Sequence, residues 1–157
     1  MYTILISEQA LCPATLIALY ASRYLQGENG TGLAVRSRLR IPFRRMPVNV
    51  VVSGPVSMEA AQRFEVSWAA GADRERRTFA GELYVGAGMA PDSGSIVLTG
   101  SYMHARRSGN REAGAGRPRA LAVGRALLRT LRIAIENAHG IDYPHADAIA
   151  YAWRHMN

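Results

Sequence analysis

The sequence predicts an α+β domain in which a curved antiparallel sheet wraps around one long C-terminal helix. Three observations carry that prediction. Several segments alternate apolar and polar residues with the period of two that a half-buried strand requires. Two of the clearest, Thr78 to Val85 and Ser95 to Met103, stand side by side late in the chain, joined by a connector of turn residues. They lead through a polar loop into a sustained helical pattern, and a sheet that ends in such a helix can close over it and leave a cavity between the two.

Taken in order, Tyr2 to Ile6 is a short apolar run suited to a strand. Pro13, permitted in a first helical turn, opens a helical pattern through Leu16, Leu19, Tyr20 and Tyr24, which Gly27, Gly30 and Gly32 end. From Ala34 to Ile41 the alternation is strict, with Val35, Ser37, Leu39 and Ile41 on one side and Arg36, Arg38 and Arg40 on the other. Val48, Val50 and Val52 repeat it up to a stop at Gly54 and Pro55, and Phe64, Val66 and Trp68 repeat it again. Phe79, Gly81, Leu83 and Val85 share one face of the next strand, and Ile96, Leu98, Gly100 and Tyr102 share one face of the strand after it. Glycine inside a strand marks strong bending or close approach by another element, so Gly81 and Gly100 suit a sheet that curves over a helix. The stretch through Arg117 is polar and glycine-rich. Pro118 then opens a helix with Leu121, Leu127, Leu128, Leu131, Ala134, Ile135 and Ala138 on one face and Arg125, Arg129, Arg132 and Glu136 on the other.

A chain of 157 residues with 48% apolar side chains holds one domain with a real core. We expect that domain over residues 1–140, with 141–157 as an extension whose pattern from Ala146 to Trp153 suits a short helix. All 19 basic residues are arginine, the codon bias of a GC-rich bacterial genome, and the formal charge of +7 favours anionic partners. The single cysteine, Cys12, cannot form an internal disulfide and fits a reducing cytoplasm. Met1 to Leu25 has no basic head, carries Glu8 and is interrupted by Pro13, so neither a signal peptide nor a membrane span is expected there.

Phe79-Ala80-Gly81-Glu82-Leu83, followed by Ile96-Val97-Leu98-Thr99-Gly100-Ser101-Tyr102, resembles the last two strands of bacterial members of the START-like superfamily, the polyketide cyclase or SRPBCC-type proteins. Those members continue into a Pro-Pro-x-Gly turn, where this chain has Met103 to Gly109 instead. The motif likeness covers about Phe79 to Ala138, and the rest agrees in element order. The resemblance implies a helix-grip fold and a cavity between sheet and helix that holds lipids, sterols, polyketides or other hydrophobic compounds, in carriers, sensors and a few enzymes.

On that reading the inward, ligand-binding candidates are Phe64, Trp68, Phe79, Leu83, Leu98, Tyr102, Leu128, Leu131 and Ile135, although the same nine positions equally describe an ordinary core. Tyr102 and Trp68 stand out because an inward hydroxyl and indole N–H need partners that a ligand can supply. A cyclase- or dehydratase-type enzyme is the alternative, with Tyr102 or His104 as the proton-transfer group. The four histidines show no metal-binding spacing, no cofactor is expected, and no serine elbow is present. No catalytic residue is assigned, and a non-enzymatic role is preferred. Arg106, Arg107, Arg117 and Arg119, with Arg111, surround the start of the last helix and can guide an anionic ligand to the cavity mouth. The row Arg36, Arg38, Arg40, with Arg44 and Arg45, is the best case for nucleic acid, which is disfavoured because the strand aromatics fall on the other face. A protein contact through Tyr151 and Trp153, or a homodimer, stays open.

Overall fold

The computed structural model describes residues 2–26, 35–41, 48–57, 61–69, 79–90, 92–102 and 116–142. Eight elements follow in chain order: β1 (Tyr2–Ala10), α1 (Ala14–Gln26), β2 (Val35–Ile41), β3 (Val48–Ser57), β4 (Ala61–Trp68), β5 (Phe79–Ala87), β6 (Gly94–Tyr102) and α2 (Gly116–Asp142). The six strands form one antiparallel sheet in the order β1-β6-β5-β4-β3-β2. Each consecutive pair from β2 to β6 is a neighbour in the sheet, and β1 closes the far side against β6. The first helix therefore has to carry the chain from one edge of the sheet to the other.

Register explains why the apolar residues meet on one face. Val50, Trp68, Phe79 and Tyr102 are partners along one rung, Val52, Val66, Gly81, Gly100 and Ile4 along the next, and Phe64, Leu83, Leu98 and Ile6 along a third. Because side chains alternate across a strand, these rungs all look inward. Both helices pack on that face. The α2 helix meets β1 and β6 at one side of the sheet and β2 at the opposite edge, while α1 packs on α2 and β5 and reaches β2 and β6. A helix laid on a flat sheet would cover the strands between β6 and β2. Here the sheet bows so that both edges approach α2 and its middle stands off, which is the helix-grip arrangement.

The amphipathic patterns place α2 with its Val123, Leu127, Leu128, Leu131 and Ile135 stripe buried, and Arg125 and Arg129 exposed. Burying these five branched side chains fully contributes about 1.5–3 kcal/mol each before conformational entropy is subtracted. Gly124 lets α2 come close to the sheet, since a Cβ there would stand 2.7 Å from the Ile6 side chain. Two local readings are corrected. The buried stripe of α1 is Ile17, Tyr20, Ala21 and Leu25, while Leu19 and Tyr24 are exposed, so the helix is rotated from the predicted face. The rotation seats Ile17 directly over Gly94, the first residue of β6. Gly54 and Pro55 do not end β3, which continues to Ser57 through a shift of register between Ser53 and Val56. A bulge absorbs the missing proline N–H, and Gly54 takes the φ of 129° that a side-chain-bearing residue resists.

Candidate functional site

The interior between the middle strands and α2 brings together all nine predicted ligand-binding residues. Each is at most 3% exposed, and all belong to one continuous apolar core. β4 supplies Phe64 and Trp68, β5 Phe79 and Leu83, β6 Leu98 and Tyr102, and one face of α2 supplies Leu128, Leu131 and Ile135. Their period of two on the strands and of three to four on the helix is what points them at one another.

The aromatic rung is the most specific part. The rings of Trp68 and Phe79 stack with centroids 3.9 Å apart and 13° between planes. Phe79 does not stand upright from its strand. Its Cζ would lie 2.9 Å from a Cβ built on Gly81 and 2.5 Å from one built on Gly100, so the ring leans along β5 with its tip over this cross-strand glycine pair. The two glycines thus permit a close approach of the β5 and β6 backbones, with Thr99 O 2.2 Å from a Cβ built on Gly81, and of the Phe79 ring tip beside them. A phenyl-sized seat results, with two bare backbones beneath the ring tip and Trp68 stacked against the ring face. Tyr102 neighbours Phe79 on the same rung, and both Trp68 and Tyr102 have interaction partners.

Polar groups enter the interior at the opposite end. His139, 8% exposed, is the buried polar or charged residue among those described, and its ring meets Tyr20 edge-on with centroids 6.0 Å apart. The Ser22 hydroxyl donates to Gln62 Oε1 at 2.7 Å. Nearby, Glu136 Oε1 accepts the Leu11 backbone N–H at 3.0 Å. Burial, with a smaller contribution from Glu136, pushes the Cys12 thiol up to about 11, so it is a protonated core group at neutral pH. Sequence reasoning did not single out His139 or Gln62. Both obey the periods already in use: His139 follows Ile135 by four on the helix, and Gln62 precedes Phe64 by two on the strand.

Of the anion-binding candidates, the structure describes one side chain. Arg119 is exposed on the first turns of α2; Arg106, Arg107 and Arg111 fall outside the described residues, as does the side chain of Arg117. His104, Arg44, Arg45 and the tail 143–157 also fall outside them. Arg38 and Arg40 are exposed on β2 as expected. Two surface grooves stand out among the described residues. One, of about 750 Å³, runs between β1 and α2, with Leu128 as its one predicted site residue. The other, of about 590 Å³, lies on the outer sheet face around Glu65, Glu82 and several hydroxyls. There Arg63 meets Glu82 at 3.2 Å, and the Tyr84 hydroxyl donates to the second Glu82 oxygen. Among the described residues no set of three metal-ligating side chains converges, and no helix is long and apolar enough to cross a membrane.

No family model matches this chain, and no curated protein does. Among solved structures it is similar to a protein from Nitrosospira multiformis, with 12% identity, a TM-score of 0.48 and coverage of 85% of this chain and 96% of that one. It is also similar to a protein from Rhizobium leguminosarum, with 16% identity, a TM-score of 0.47 and coverage of 87% and 95%. An aromatase/cyclase from a Streptomyces species gives 16% identity, a TM-score of 0.43 and coverage of 88% and 94%. At these identities the likeness is one of fold alone.

Proposed function

We propose that the protein binds a hydrophobic or amphipathic small molecule, such as a lipid or a polyketide-like compound, between the sheet and α2, as a carrier, sensor or accessory protein. The observation that carries this reading is the phenyl-sized seat over Gly81 and Gly100. A core free to fill this space from the strands themselves would carry side chains there, but backbone atoms stand 2.2–2.7 Å from a Cβ at either glycine. This one leaves two adjoining positions bare and covers them with a ring that can turn away on its own χ angles. A planar group of the ligand takes the place of the Phe79 ring against Trp68, and the exchange keeps both the buried apolar area and an aromatic contact of about 0.5–1.5 kcal/mol. The Trp68 N–H and the Tyr102 hydroxyl share that rung and give an otherwise apolar pocket the few polar groups that orient a ligand. Arg119 and the arginines before α2 favour a ligand with an anionic end.

The test is native mass spectrometry of freshly purified protein, followed by organic extraction and identification of what is released. A co-purifying hydrophobic compound, lost from a Gly100→Val variant that remains folded, supports the reading. A protein that carries nothing and takes up no hydrophobic fluorescent probe counts against it.

A further inference from the structure

The two edges of the sheet are treated differently. β2 carries Arg38 and Arg40 exposed on its outer face, a charged edge of the kind that resists strand addition. β1 at the other edge has none of the usual protections. It is nine residues long, contains no proline, and pairs with β6 from Tyr2↔Tyr102 to Ala10↔Gly94 without a bulge. Its one charged side chain, Glu8, is engaged by Arg132 at 3.0 Å. Every second residue of such an edge turns its N–H and C=O away from β6, and among the described residues β1 has no second neighbour.

The flank of this edge has a definite charge. The groove between β1 and α2 is lined by Arg125, Arg129 and Arg132, with Glu8 as its acidic residue. Arg132 is held by Glu8, whereas Arg125 and Arg129 are exposed and meet no carboxylate among the described residues. Their spacing of four places them on one helical face, one turn apart, alongside β1.

We propose that the β1 edge is a docking site for an acidic extended segment of a partner protein, which adds to the sheet as a seventh strand. The backbone of β1 would supply the pairing, and Arg125 and Arg129 would read carboxylates on alternate residues of the incoming strand, the ones turned toward α2. Charge argues against a second copy of this chain as occupant. A two-fold pairing of β1 with itself would set three arginines and one glutamate from each copy against the same set from the other.

The test uses a fluorescein-labelled, end-blocked peptide, Thr-Glu-Val-Glu-Thr-Glu-Val-Glu-Thr, titrated with the full chain by fluorescence anisotropy, together with amide hydrogen exchange of β1. Saturable binding with new protection of β1 amides is expected. Arg125→Glu/Arg129→Glu, which alters two exposed side chains, should weaken binding by about tenfold or more while leaving the melting temperature in place. A peptide N-methylated at alternate residues keeps its charge and loses the backbone donors, and should bind about tenfold more weakly or worse. The proposal is overturned by any of four results: no binding, equal binding of the lysine-for-glutamate peptide, indifference to N-methylation, or tighter binding of a single-stranded oligonucleotide to the same groove. It is equally overturned if the protein already forms a dimer with β1 protected.

Discussion

Replacing Gly100 by alanine tests the geometry of the aromatic seat with the smallest possible change. The added Cβ would lie 2.5 Å from Phe79 Cζ, 2.6 Å from the Ala80 carbonyl oxygen and 2.6 Å from Gly81 Cα. Two of these three atoms belong to the backbone of a central strand, so turning one side chain relieves only part of the clash. Overpacking of this kind costs about 1–3 kcal/mol. The opposing effect is the lost flexibility of the unfolded chain, which favours alanine by about 0.4–1 kcal/mol. Overpacking wins, and the net loss is about 1–2 kcal/mol. At about 2–4 °C per kcal/mol for a domain of this size, the melting temperature should fall by about 2–8 °C. Differential scanning calorimetry, with urea titration as a check on the free energy, reads the change. Adding Phe79→Leu removes the Cζ contact and should recover part of the loss caused by Gly100→Ala, with a positive coupling between the two sites. A Gly100→Ala protein as stable as the parent, or more stable, would refute the placement of Phe79 over the glycine pair.

Three further outcomes are expected. Phe79→Ala should lose about 3–5 kcal/mol and gain a dry space over the glycines, so adding benzene or indole should raise the melting temperature of the variant by more than that of the parent, which must first displace its own ring. The Cys12 thiol, raised from 9.0 to about 11, stays protonated in the folded protein after the unfolded chain has ionised. Its contribution to stability is therefore complete below pH 9 and is lost as pH rises toward 11, on the order of 2 kcal/mol in all, and Cys12→Ala should flatten that slope in pH-dependent urea unfolding. Glu8→Gln breaks an ion pair whose side chains are 30% and 32% exposed, so the change should stay below about 1 kcal/mol and shrink in high salt.

The sheet was readable because each strand carries its own period. Once Phe64, Trp68, Leu83, Leu98 and Tyr102 are assigned to inward positions, register brings them to common rungs with no further information. The same holds for α2, whose apolar face is continuous. What sequence could not supply lies in relations between elements. Leu16 and Leu19 offer α1 as good an apolar face as Ile17, Ala21 and Leu25, and the rotation shows only in tertiary contacts such as Ile17 over Gly94 and Tyr20 against His139. Gly54 and Pro55 read as a stop because the sequence does not show that a bulge lets β3 pass through them. Gly81 and Gly100 signalled a close approach, yet what approaches is the neighbouring strand's backbone and the Phe79 ring tip, and not the helix. The edge position of β1 also escapes a local reading, because it depends on β1 pairing with β6, from Tyr2↔Tyr102 to Ala10↔Gly94, far along the chain.

The central claim is that a hydrophobic molecule enters the space between the middle strands and α2. Methyl-resolved NMR of protein labelled at leucine, isoleucine and valine, titrated with fatty acids and fused-ring aromatic compounds, addresses it most directly. The account predicts saturable shifts at Leu83, Leu98, Leu128, Leu131 and Ile135, with the exposed methyls of Leu5, Leu19 and Ile133 unmoved. Shifts confined to those exposed methyls, or none with any compound, would contradict it.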